Sequence, residues 1–120
     1  MYGITEVAKR CGITAHTLRY YDKEGLLPFI SRNESGIRIF MEQDLELLKL
    51  IVCLKNTGMP LKQIKSYIDM VMEGSETVEK RREIIMSQRV EVKRQIEELR
   101  KNLSLLDMKM KYYNALKINP

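Results

Sequence analysis

Cysteine, histidine and long apolar runs are scarce in this chain of 120 residues, and each shortage excludes a class of protein. The two cysteines, Cys11 and Cys53, sit inside helical patterns and read as reduced cytosolic thiols rather than a disulfide framework. The one histidine, His16, has no Asp, Glu or Cys at ligand spacing, and residues 74–120 hold neither Cys nor His. Zinc, copper and mercury ions need thiolate or imidazole ligands, so no metal centre is expected, and no cofactor either. No Ser/His/Asp or Cys/His constellation, phosphate loop or framed carboxylate pair appears, which argues against an enzyme. No apolar run approaches the roughly 18 residues of a membrane span. The N-terminus, Met1-Tyr2-Gly3-Ile4-Thr5-Glu6, lacks the basic and apolar regions of a signal peptide.

What is present suits a small folded domain with an extended element attached: 14.1 kDa, with 44% hydrophobic residues. The net charge of +5 and a pI near 9.2 favour polyanionic partners. The excess lies at the two ends of the chain, the middle being slightly acidic. Charge of this size gains meaning only from the motifs that carry it.

Residues Thr14-Ala15-His16-Thr17-Leu18-Arg19-Tyr20-Tyr21 are the most informative stretch. Thr14 is a suitable N-cap, Gly12 stops the helix before it, and Gly25 can end the new one in a left-handed conformation. The result is a helix-turn-helix. The first helix, from Thr5 to Cys11, aligns Val7, Ala8 and Cys11 on one face, with Lys9 and Arg10 towards water. The second gives Leu18 and Tyr21 to a shared core and turns His16, Thr17, Arg19, Tyr20 and Lys23 outward, where they can reach base edges and phosphate oxygens.

Two β-prone runs, residues 26–30 and 37–40, flank the polar segment Ser31-Arg32-Asn33-Glu34-Ser35-Gly36, the pattern of a small hairpin. Ile37 and Ile39 are expected to pack on the helices while Arg38 points out. A hairpin in this place is a wing, and Arg32, Asn33 and Arg38 are equipped to contact the DNA backbone. A third helix, Glu42 to Thr57, has apolar residues around almost its whole circumference, which calls for cover from several sides, including a second subunit. Pro60 suits the first turn of a fourth helix, Leu61 to Glu73, with Leu61, Ile64, Ile68, Val71 and Met72 as its inward stripe and Gly74 as its end. From Thr77 to about Leu116 there is no Gly or Pro. Val92, Ile96, Leu99, Leu103, Leu106, Met110 and Tyr113 recur in steps of four and three, a heptad seam that pairing with a second copy would bury.

Taken together, Ile4-Thr5-Glu6-Val7-Ala8, Gly12-Ile13-Thr14, Thr17-Leu18-Arg19-Tyr20-Tyr21-Asp22, Gly25-Leu26-Leu27, Arg32, Ser35-Gly36-Ile37-Arg38, Asp44-Leu45 and Gly58-Met59-Pro60-Leu61 resemble the MerR family of bacterial transcription regulators. The resemblance runs from about residue 2 to residue 73. It implies a mainly α fold: a winged helix-turn-helix DNA-binding domain over residues 1–74, then a dimerisation helix over 75–120 that forms an antiparallel dimeric coiled coil. The implied partners are double-stranded DNA, as a promoter palindrome, a second copy of the chain, and RNA polymerase at that promoter. The implied location is the bacterial cytoplasm, at the nucleoid. Family members typically activate by bending and untwisting an overlong promoter spacer, and elastic estimates for bending such a site run from about 1 to 6 kcal/mol.

Carried over by position, Thr17 and Arg19 match the base- and phosphate-facing part of the family's recognition helix. Tyr20 matches its phosphate-contacting tyrosine, Arg38 the wing arginine, and Lys62 lies where the turn into the fourth helix approaches phosphate. The expected DNA-binding set is thus Thr14, His16, Thr17, Arg19, Tyr20, Tyr21, Lys23, Arg32, Asn33, Arg38 and Lys62, with Tyr21 counted in the core as well. Two departures stand out: Ile37 replaces the tyrosine that most members have before the wing arginine, and Met41 replaces the Ser or Thr that often caps the third helix.

Ile51-Val52-Cys53-Leu54-Lys55-Asn56-Thr57-Gly58, Met72-Glu73-Gly74-Ser75 and Leu106-Asp107 further resemble the small branch of the family that answers reactive aldehydes and nitrosative or electrophile stress through one cysteine. Cys53 is then the expected sensor thiol for a small electrophile, with Lys49 one turn away to favour thiolate. Its late position in the helix works against an anion, and without the resemblance an unpaired cysteine reads as a small buried hydrophobe. No C-terminal drug-binding domain is expected. Two alternatives stay open, a MerR-type regulator of a non-covalently bound small molecule and an architectural or excision-type DNA binder, for which a monomer would speak.

Overall fold

The turn between the first two helices follows from Gly12 and Thr14. In a computed structural model, which describes residues 1–118, α1 spans Ile4–Cys11 and α2 spans Ala15–Lys23. Gly12 takes φ 71°, a left-handed conformation costly for any residue with a Cβ, and its N–H closes onto the last turn of α1. Thr14 then caps α2, its Oγ1 accepting from the Thr17 N–H at 3.0 Å. The hydroxyls of Thr14 and Thr17 also lie 2.8 Å apart.

The wing is shorter and differently placed than the pattern suggested. Its strands are β1, Ser31–Arg32, and β2, Arg38–Ile39, antiparallel with Ser31 opposite Ile39 and Arg32 opposite Arg38. Residues 26–30, expected as the first strand, carry no strand pairing. Leu26 and Leu27 instead go into the core. The facing of the second strand is also inverted. Ile37 is 61% exposed while Phe40 is fully buried, so Arg38 and Phe40 share the inner side. Alternation along a strand leaves the choice of side open, and a long-range contact decides it. Tyr2 exchanges backbone hydrogen bonds with Phe40, at 2.9 and 3.2 Å, and draws that residue under the N-terminal segment.

Helix α3 covers Glu42–Asn56 and α4 covers Leu61–Glu73. The missing Ser or Thr at residue 41 is compensated by Asp44, whose Oδ2 accepts from the Met41 N–H at 2.8 Å. The core gathers Val7, Leu18, Leu26, Phe40, Leu48, Ile51, Ile64 and Ile68 from all four helices and the segments between them. On α4 the inward stripe holds Tyr67 rather than the expected Met72, which is exposed.

A single 3₁₀ turn, Ser75–Thr77, leads into α5, Val78–Ile118. The junction is well tied. The buried Thr77 hydroxyl lies 2.6 Å from the Met70 carbonyl and 2.9 Å from that of Gly74, and Arg81 donates to Thr77 Oγ1 and to Gly74 O, both at 3.0 Å. The chain divides into two units, Met1–Ile84 and the part from Ile85 onward. In the second, Ile96, Leu99, Leu103, Leu106, Met110 and Tyr113 are 44–66% exposed, and Val92 is half-buried. Leu105, Met108 and Tyr112, also exposed, fall on the far side of the helix at about 100° per residue, and the exposed Leu116 flanks the seam. No described helix is long and apolar enough to cross a membrane.

The inverted wing can be tested by truncation. Phe40→Ala should cost about 3–5 kcal/mol of unfolding free energy in urea titrations, and Ile37→Ala no more than about 0.5 kcal/mol.

Candidate nucleic-acid interface

An α-helix that buries Leu18 and Tyr21 must present the residues between them to solvent, and on α2 those are Arg19 and Tyr20, with His16 and Lys23 also exposed. Among the described residues, the side chains of His16, Arg19 and Lys23 make no hydrogen bond or ion pair within the chain. A guanidinium, an ammonium and an imidazole thus stand together with free donors beside a phenol, a set able to contact base edges and phosphates. Thr14 and Thr17 flank them, although the Thr14 oxygen is occupied by the cap.

Tyr21, expected in both the core and the DNA-facing set, packs its ring into the core. It is 5% exposed, and burial raises the pKa of its hydroxyl. Its spacing of three from Leu18 puts it on the same helix face, and the core takes it.

The wing arginines behave differently from Arg19. Both converge on Asp22 of α2: Arg32 Nη2 lies 2.8 Å and Arg38 Nε 2.5 Å from the same oxygen, Oδ2. Arg32 also donates through Nη1 to the Gly36 carbonyl at 2.9 Å. Arg38, expected to point outward, is therefore turned inward and half-buried. Asn33 builds the wing tip, its Oδ1 accepting from the N–H groups of Ser35 at 2.9 Å and Ile37 at 3.0 Å, with Gly36 at φ 78° completing the turn. Its side-chain oxygen is thereby occupied.

Lys62 is exposed at the start of α4. With Lys65, Glu24, Leu26 and Leu61 it lines a cleft of about 240 Å³. Lys65 was not foreseen from sequence, and neither was Asp22 as the partner of both wing arginines. The signal for Asp22 is present in the sequence, an acid one residue from the end of a helix whose following hairpin carries two arginines.

Of the two thiols, Cys53 is exposed and Cys11 half-buried. Burial raises the Cys11 pKa, and the Lys49 ammonium partly opposes it. Lys49, read from sequence as a neighbour of Cys53, is 3.8 Å from Glu46. No group of three or more His, Cys, Asp or Glu side chains among the described residues is arranged to hold a metal ion.

Comparison with known proteins agrees with this geometry. Residues 2–71 match the MerR HTH family regulatory protein family, and residues 45–108 match the family described as MerR, DNA binding. An uncharacterized HTH-type transcriptional regulator of Haemophilus influenzae is 46% identical over 116 residues, covering 97% of this chain and 86% of that protein. The HTH-type transcriptional regulator AdhR of Bacillus subtilis is 41% identical over 86 residues, or 72% of this chain and 61% of that regulator's length. Among solved structures, HiNmlR, a MerR family regulator lacking the sensor domain, bound to promoter DNA, superposes with a TM-score of 0.90 at 45% identity, over 98% of this chain and 94% of that one. On these matches the chain belongs to the MerR family of helix-turn-helix transcriptional regulators.

Proposed function

We propose that this regulator binds a palindromic promoter site as a homodimer, each copy laying α2 in a major groove and its wing along the backbone. The observation that carries this reading is the group of unpaired donors on α2, Arg19 above all, beside a wing whose own arginines are already held by Asp22. The HiNmlR structure, bound to promoter DNA, supports it by likeness. The apolar residues of α5 support pairing with a second copy through an antiparallel coiled coil, since such a stripe exposed to water is unfavourable by about 25 cal/mol per Å². A two-fold symmetric protein reads a two-fold symmetric site.

Contacts of this kind switch transcription by distorting the spacer until RNA polymerase engages both promoter elements. The bend, at about 1–6 kcal/mol, has to be offset by phosphate contacts, for which Tyr20, Lys23, Arg32 and Lys62 are the suppliers. Asn33 and Arg38 serve the same surface by shaping the wing. The inducer in this reading is a small electrophile captured by the Cys53 thiolate, in line with the likeness to the single-cysteine branch and with the exposure of Cys53 in the chain.

Arg19→Ala should weaken binding to the promoter palindrome by about 1–3 kcal/mol, measured by fluorescence anisotropy, with a smaller loss on random duplex, where only the attraction of its charge is removed. An equal loss on both duplexes would contradict base reading by this helix. At neutral pH iodoacetamide should label Cys53 before Cys11, read by peptide mass mapping, because burial lowers the thiolate fraction of Cys11. Cys53→Ala should leave DNA binding intact and abolish induction by formaldehyde or methylglyoxal. Normal induction in that variant would eliminate the thiol switch.

A further inference from the structure

Arg32 and Arg38 are directly opposed across the β1–β2 pair. Like charges in that position repel and destabilise a hairpin, and a two-stranded hairpin has little stability to lose. Here the repulsion is answered from outside the hairpin. Asp22 Oδ2 accepts from both guanidiniums, at 2.8 and 2.5 Å. The three side chains differ in exposure. Asp22 and Arg38 are largely shielded, at 19% and 23%, while Arg32 is half exposed at 50%.

We propose that Asp22 is a positioning residue for DNA recognition: from α2 it clamps the wing through Arg38 and aims Arg32 at phosphate, so that backbone contact and base reading share one rigid frame. This rests on the DNA-binding reading above. Two further contacts stiffen the frame. Arg32 Nη1 bonds the Gly36 carbonyl at 2.9 Å, which ties the guanidinium to the wing tip, and Asn33 fixes that tip through the Ser35 and Ile37 N–H groups. Asp22 lies between Tyr21, which is locked in the core, and Lys23, which faces solvent, so any shift of α2 is passed to the wing. A partner that fits both elements at once gains from this preorganisation, because the hairpin is ordered before binding. A partner that offers phosphates alone gains less from it, since it uses only one of the two elements. Asp22 lowers the local positive charge that attracts any DNA, and sharpens selection among DNAs.

Asp22→Asn keeps the side-chain shape and removes the charge. In the free protein the amides of Asn33 and Gly36, which bond Ile37 O and Asn33 O, should exchange with solvent about tenfold faster or more, with α3 amides unchanged. On DNA, affinity for random duplex should rise and its salt dependence steepen, while the ratio of promoter to random affinity falls about tenfold. With Arg32 and Arg38 both replaced by Ala, adding Asp22→Asn should change that ratio no further. Unaltered wing exchange in Asp22→Asn would overturn the proposal. So would an undiminished effect in the arginine-free background, or loss of cooperative unfolding, which would make Asp22 a residue of the global fold. A wild-type chain that did not distinguish the promoter would instead count against DNA reading, and the exchange result would then judge the clamp alone.

Discussion

An apolar surface on α5 that its own chain leaves uncovered is the constraint on which the functional account depends. Ile96, Leu99, Leu103 and Leu106 lie along one side of a helix free of glycine and proline, all widely exposed. A helix of this kind gains its stability from tertiary packing rather than from propensity, so an exposed stripe implies a partner. If the partner is another copy, the recognition helices occur in pairs and the DNA site acquires symmetry. Leu105, Met108 and Tyr112 on the far side, with Leu116 beside the seam, enlarge the surface to be covered beyond a simple two-helix seam.

Within the head, the arginines divide into two kinds by what they touch. Arg32 and Arg38 are neutralised in part by one carboxylate, whereas the Arg19 side chain makes no hydrogen bond or ion pair with the described residues. Such a division suits a protein that must tell one duplex from another. Unpaired charge raises affinity for every duplex, and only rigidly placed donors discriminate among sequences.

Local chemistry was legible in the sequence, and long-range choices were not. The Thr14 cap, the Gly12 stop and the α4 start at Leu61 depend on neighbours within a few residues, and all stand where the pattern placed them. The wing strands are two residues each, too short for alternation to specify a side. Tyr2 and Asp22, 38 and 16 residues from Phe40 and Arg38, specify it instead. Tyr67 reads as polar-tipped in the sequence yet packs in the core, and Met72 has the spacing of a stripe that the helix does not use at that end. At the candidate site the outward residues of α2 followed from helical period alone, but the pairing of Asp22 with both wing arginines needed the folded hairpin.

Sedimentation equilibrium of the purified chain at micromolar concentration tests pairing through α5 most directly. The account predicts a particle of twice the 14.1 kDa chain mass, falling to a single chain when Leu99 and Leu106 are both changed to Lys. A single-chain mass for the unaltered protein at that concentration would contradict it.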